Sequence, residues 1–245
     1  MNEKKALERH FLEEVAAIYP DFPSGTVIDA ERPDFLISSG SQVTGIEVVN
    51  YVRGQGAGGS DYRRNEILWQ QIADAARRKF ESNHSDPLMV HFLWHSNRYP
   101  RKVDVPLIAA SAAEVIEQYI PRILFERTHV SDDSFLNTPL YTFANSIYVT
   151  RVRNVRQVVW SSINASFITV SANELRGLLA SKSIKVREYL KRCAEVWLLI
   201  VADGRYISST GELLQEEVRR IQLQTAFQRV LFYDHPNRLI TSLTG

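Results

Sequence analysis

The stretch "RPDFLISSGSQVTGIEVVNY", residues 32–51, holds two short apolar runs joined by a Ser/Gly/Gln turn. Each run carries one carboxylate in its middle, Asp34 in "PDFLI" and Glu47 in "TGIEVV". An isolated buried charge is costly, so an acid in such a strand is held by hydrogen bonds and cations or kept protonated. Strand periodicity puts Asp34, Leu36 and Ser38 on one face, and Glu47, Val49 and Tyr51 on one face of the next strand. If the strands pair through the turn at 39–42, Asp34 and Glu47 sit side by side. Two adjacent carboxylates repel, and a divalent cation or a shared proton between them relieves the repulsion. A few oxygen ligands with water positions left open suit Mg²⁺ or Mn²⁺.

Working outward, residues 3–19 read as a helix, with Leu7, Phe11, Val15 and Ile18 recurring at three and four until "YPDFPSG" stops it. "TVIDAE", "PDFLIS" and "GIEVVNYV" follow as a meander of short strands. "RGQGAGGSD" at 53–61 is a Gly-rich loop without the Gly-Lys-Ser/Thr ending of a phosphate loop, and reads as a hinge or flap. Asp61 is placed to cap a helix over 61–82, and "PLMVHFLWH" is the next strand. The first hundred residues therefore run α-β-β-β-α-β, an α/β (α+β) sheet flanked by helices with the carboxylates on adjacent central strands.

Beyond residue 100 the pattern predicts a helix over 104–120, a long loop over 121–138 and strands within 139–152 and 157–163. A serine-capped helix over 171–193 and the strand "EVWLLIVA" follow. A helix at 211–222 and a terminal strand pair complete the chain. The expectation is one domain over 1–245, with a core in 1–100 and an α/β elaboration in 101–245 that completes the sheet and sets specificity.

Composition narrows the function classes. Hydrophobic residues make up 44% and charged residues 23%, ordinary for a globular chain. The net charge of +1 excludes a grossly basic protein, but a local basic stripe is enough for nucleic acid. A lone cysteine, Cys193, excludes an internal disulfide and a multi-cysteine zinc site, and fits a reducing cytoplasm. The mixed-charge opening "MNEKKALERHFLEEV" has no signal-peptide core. No apolar run approaches the roughly 18–20 residues of a membrane span. The expectation is a soluble, cytoplasmic protein.

Pro-Asp, a spacer, and an apolar-flanked Glu in the next strand resemble the PD-(D/E)XK nuclease superfamily, the restriction-endonuclease-like fold. "LERHFLEEV" at 7–15 is similar to the opening of archaeal Holliday-junction resolvases and their relatives, where a helical Glu adds an acid to the metal site. By position that acid is Glu8, with Glu14 as runner-up. The resemblance spans about residues 3–95. It implies metal-assisted hydrolysis of DNA, in defence or repair, with Asp34, Glu47 and Glu8 on Mg²⁺ or Mn²⁺. The lysine expected two residues after the Glu is Val49 here. Some members carry it on a neighbouring helix, and Lys79, Lys182 and Lys185 are the candidates. Gln70 and Gln71 match a position where relatives carry a supporting polar residue. With no cation in place, the same fold is a degenerate module that binds nucleic acid or a protein partner without cutting. A homodimer or a partner subunit is compatible with either.

Other motifs carry less. His91 and His95 sit in a predicted strand, where four residues span about 13 Å, too far to share a metal. Cys193 and the four tryptophans read as core. Basic groups at Arg63/Arg64, Arg77–Lys79, Arg151/Arg153/Arg156 and Lys182–Arg192 are solvated faces, or phosphate contacts if they flank the acids.

Overall fold

The structure, a computed structural model, describes residues 3–55, 60–95, 98–154, 156, 158–163, 169–220 and 225–244. Its elements begin with α1 (Glu3–Ile18), β1 (Thr26–Asp29), β2 (Phe35–Ser39), β3 (Gln42–Asn50), α2 (Asp61–Glu81) and β4 (Leu88–Trp94). They continue with α3 (Val105–Gln118), β5 (Arg127–Ser131), β6 (Ala144–Arg151), β7 (Trp160–Ile163), α4 (Ala172–Ser183) and α5 (Val186–Tyr189). The last are β8 (Glu195–Ala202), α6 (Gln215–Arg220), β9 (Arg229–Asp234) and β10 (Leu239–Ser242). This is a mixed α/β chain with two mixed sheets. No helix among the described residues is long and apolar enough to cross a membrane. Residues 56–59 of the expected flap lie outside the described residues, as do 221 and 222 of the helix expected over 211–222.

The chain divides into two compact units, residues 1–61 with 167–245, and residues 62–166. In the first unit the strand order is β1-β2-β3-β8-β9-β10. The meander expected from the opening stretch is present: β1 pairs antiparallel with β2, and β2 with β3, from Phe35 opposite Ile46 to Ser39 opposite Gln42. The two-residue loop between them starts at Gly40, whose φ of 61° is the left-handed value such hairpin loops ask of their first residue. β3 and β8 pair in parallel, with Glu47 opposite Leu198, and β8 pairs in parallel with β9.

Helix α1 covers one face, packing Phe11, Leu12 and Val15 on Phe35, Ile46, Val48 and Leu199. Helices α4 and α5 cover the other, packing Leu175, Leu179, Val186 and Tyr189 on Val196, Leu198, Ile200 and Val230. Seven of the eight residues of β8 are buried, as a central strand covered on both faces requires. The strand at 88–94, expected in the same sheet as the acid strands, belongs instead to the second unit. Its burial alternates strictly along β4, which suits a sheet covered on one face, and it pairs with β6 and β7 in the order β5-β6-β4-β7. The core there joins Trp69, Ile72 and Phe80 of α2 and Ile108, Ala112 and Ile116 of α3 to Val90 and Phe92 of β4.

Two further differences have local causes. The expected loop over 121–138 contains β5, an edge strand whose sequence "RTHVS" buries only Val130 and so lacks an apolar alternation. The single helix expected over 171–193 breaks after Ser183 into α4 and the one-turn α5. Its serine cap is present: Ser171 Oγ accepts the Glu174 N–H at 3.3 Å, and the Glu174 carboxylate reaches back to the Ser171 N–H.

Gly45 in β3 sits where a side chain has no room. A methyl group there would lie 2.6 Å from Pro33 Cγ and 2.8 Å from Cys193 Sγ. This close approach holds the residue preceding Asp34 against β3. Gly45→Ala is therefore expected to destabilise the chain by about 1–3 kcal/mol through overpacking, read as a lower urea midpoint at unchanged slope.

Candidate functional site

Asp34 lies one step beyond the Phe35–Ile46 pair, so continuing the register sets it across from Glu47. Its Oδ2 accepts the Val48 N–H at 2.8 Å, which ties the acid to the strand carrying Glu47. Helix α1 adds Glu8, buried at 8% exposure, and Lys5, whose Nζ lies 3.7 Å from Asp34 Oδ1 and 3.6 Å from Glu8 Oε2. The same ammonium donates to the Asp34 carbonyl at 2.6 Å and stands over the Phe35 ring. Lys4 Nζ is 3.1 Å from Glu8 Oε1. Lys4, Lys5, Glu8 and Asp34, with Asp29, Ala30 and Glu31, line a cleft of about 530 Å³.

Glu47 is 5% exposed and takes its partners from the opposite layer. Lys182 Nζ donates to its Oε1 at 2.9 Å, and the Tyr189 hydroxyl also hydrogen-bonds it. Lys182 reaches this place because it continues the inward stripe of α4 after Leu175 and Leu179, at i+7 and i+3. A second contact fixes the helix. Glu174, eight residues earlier, accepts from the Tyr51 hydroxyl at 3.0 Å and from the Gly54 N–H at 3.1 Å. Eight helical residues rise about 12 Å, and the four strand residues from Glu47 to Tyr51 span about 13 Å. The two spacings match, so α4 docks antiparallel to β3, as a helix crossing over from β3 to the parallel β8 must.

The electrostatics follow from this crowding. Burial, and next the negative charge of Glu47, push the Asp34 carboxyl up to about 6, against the opposing Val48 N–H bond and Lys5. Burial, then the charge of Glu47 and the bond to it, raise the Tyr189 phenol, which stays neutral. Glu8 raises the Lys4 ammonium by hydrogen bond and charge, with smaller contributions from Asp34 and Glu47, so the three acids share one field.

The structure thus sets Asp34 across from Glu47, with Glu8 sharing Lys5 with Asp34 on the α1 side and Lys182 meeting Glu47 on the α4 side. Lys185 is exposed at the start of α5, where its carbonyl accepts from Glu188 and Tyr189. Lys79 is exposed near the end of α2 in the second unit. Gln70 and Gln71 lie on the same helix, where Gln70 bonds Asp74 and the Trp160 carbonyl. Lys5 and Tyr189 are the site residues that sequence reasoning missed. Lys5 had a faint signal, standing three residues before Glu8 on the same helix face, whereas nothing local marked Tyr189. Among the basic groups, Arg151 pairs with Asp86 and Arg77 with Glu81, while Lys185, Arg187, Lys191 and Arg192 are exposed.

Glu8, Asp34 and Glu47 are not, among the described residues, a trio whose ligand atoms all lie within 4.8 Å of one another. The carboxylates are oxygen donors of the kind that Mg²⁺ or Mn²⁺ takes, while the raised Asp34 carboxyl reflects burial first and the charge of Glu47 second. Comparison with protein-family models, with curated proteins and with solved structures returned no match.

Proposed function

We propose that the chain is a Mg²⁺- or Mn²⁺-dependent nuclease that hydrolyses phosphodiester bonds in DNA. The observation that carries this reading is the 2.9 Å contact of Lys182 with Glu47, which supplies beside the acid pair the cation that Val49 does not. The order α1-β1-β2-β3, then α4 and β8, supports a restriction-endonuclease-like core into which residues 62–166 are inserted. Asp34 and Glu47, with Glu8 beside them, would hold the metal, whose chemistry is to polarise the phosphate and activate water. Lys182 stabilises the negative charge that develops at phosphorus. Exposed Lys185, Arg187, Lys191 and Arg192 supply phosphate contacts, which makes binding sensitive to salt.

Supercoiled plasmid and single-stranded DNA, incubated with Mg²⁺ or Mn²⁺, test the reading. Wild type is expected to cut, with Asp34→Ala and Glu47→Ala slower by about a hundredfold or more. Equal cutting by all three would move the activity away from these acids. A second reading has its own observation: Lys5 and Lys182 already balance Asp34 and Glu47 without a metal. Under it the chain is a non-cutting module, and salt-sensitive DNA binding without hydrolysis is the result that selects it.

A further inference from the structure

We propose that His10, Glu14 and His235 form a zinc site, separate from the acids and independent of the nuclease reading. His10 and Glu14 are one turn apart on α1, and His235 follows β9. Among the described residues, this is the trio that offers one ligand atom each within 4.8 Å of one another. Glu14 Oε2 is 3.6 Å from His10 Nε2 and 3.3 Å from His235 Nε2. With bonds of about 2.0–2.1 Å, neighbouring ligands of tetrahedral zinc stand about 3.3–3.5 Å apart, so the two edges at Glu14 are already near that size and the two histidines lie within 4.8 Å.

The surroundings orient the ligands as an outer shell does. The Tyr233 hydroxyl donates to Glu14 Oε2 at 3.1 Å. The His235 ring is packed edge-on against Phe11 at 5.1 Å and Tyr233 at 5.8 Å between centroids, and its backbone N–H donates to the Ala202 carbonyl. Such contacts preset the ring and carboxylate before metal arrives. Two imidazoles and one carboxylate are a borderline donor set that suits zinc over Mg²⁺. The His10 side chain is 55% exposed, which leaves a fourth position open to water or to an incoming donor. Glu14 lies six residues from Glu8, about 9 Å along the helix axis, so the acid taken as runner-up for the nuclease site belongs to this second cluster. Bound zinc would tie α1 to the end of β9.

The test uses the tag-free full chain, stripped with chelator and titrated with Zn²⁺ against a chromogenic indicator, with excess Mg²⁺ present. Co²⁺ is titrated in parallel and read by the strong visible absorption of its four-coordinate form. One equivalent is expected to bind, with His10→Ala and His235→Ala each weaker by at least about tenfold. Asp34→Asn is expected to leave the stoichiometry at one. His10 is an exposed ring, so its variant keeps the fold, checked by circular dichroism, should His235→Ala fail to fold. No binding by wild type, equal affinity in His10→Ala, or loss of binding in Asp34→Asn would each overturn the site.

Discussion

Asp34→Asn should unfold at a higher temperature than wild type in metal-free buffer and should cut no DNA. The Asp34 carboxyl titrates near 6 in the folded chain against 3.8 ordinarily, raised chiefly by burial and by Glu47. Between those values the native state holds a proton that the unfolded chain has released. Unfolding free energy therefore falls as pH rises from about 4 to about 6, and the cost persists above that window. Two pKa units correspond to about 3 kcal/mol as an upper figure. Asparagine removes the charge and keeps a carbonyl oxygen to accept the Val48 N–H. The lost Lys5 contact offsets part of the gain, leaving about 1–2 kcal/mol, or roughly 3–6 °C for a chain of this size. Calorimetry at pH 4 and pH 7 checks it: the variant's advantage should appear at pH 7 and shrink at pH 4. Added Mg²⁺ should raise the melting temperature of wild type and leave the variant unmoved. A destabilised variant at pH 7, or wild-type stability that does not fall between pH 4 and 6, would mean that the acid is not strained.

That strain is readable in the sequence because it is local. Alternation along "PDFLIS" and "GIEVVNY" places both acids, and the short turn between them fixes their register. The helix period places Glu8 on α1 in the same way. What sequence does not show is which distant segment lies beside β3. The 88–94 strand comes next in the chain, but its alternating pattern suits a sheet with one covered face, whereas the unbroken apolar run of β8 needs two. That difference is legible; the inserted unit between them hides its meaning. Lys182 and Lys185 are equally good candidates on one long helix. The break after Ser183 separates them, turning Lys185 outward and leaving Lys182 on the stripe of Leu175 and Leu179. His235 stays silent because its partners lie more than two hundred residues away on α1.

Lys182→Ala should lower DNA cleavage by about 10²–10³-fold, the loss found when one preorganised charge stabiliser is removed. It should also cost about 1–3 kcal/mol, since it removes the ammonium that donates to the buried Glu47, which among the described residues also bonds the Tyr189 hydroxyl. Those two effects alone do not separate a catalytic cation from a structural ion pair, but moving the cation does. Val49 shares a strand face with Glu47, two residues on, and packs half-buried against the core beneath α4. A lysine there would lose some packing of the valine methyls, about 1 kcal/mol, while its aliphatic stem covers the same surface and its ammonium reaches towards Glu47. Val49→Lys combined with Lys182→Ala should therefore recover at least about tenfold of the lost activity, a gain of roughly 1.4 kcal/mol in transition-state stabilisation. If Lys182 only neutralises Glu47 for folding, the double variant regains its urea midpoint while cleavage stays at the level of Lys182→Ala. Recovery of both, with metal dependence unchanged, means that the site needs a positive charge beside Glu47 and accepts it from either strand or helix.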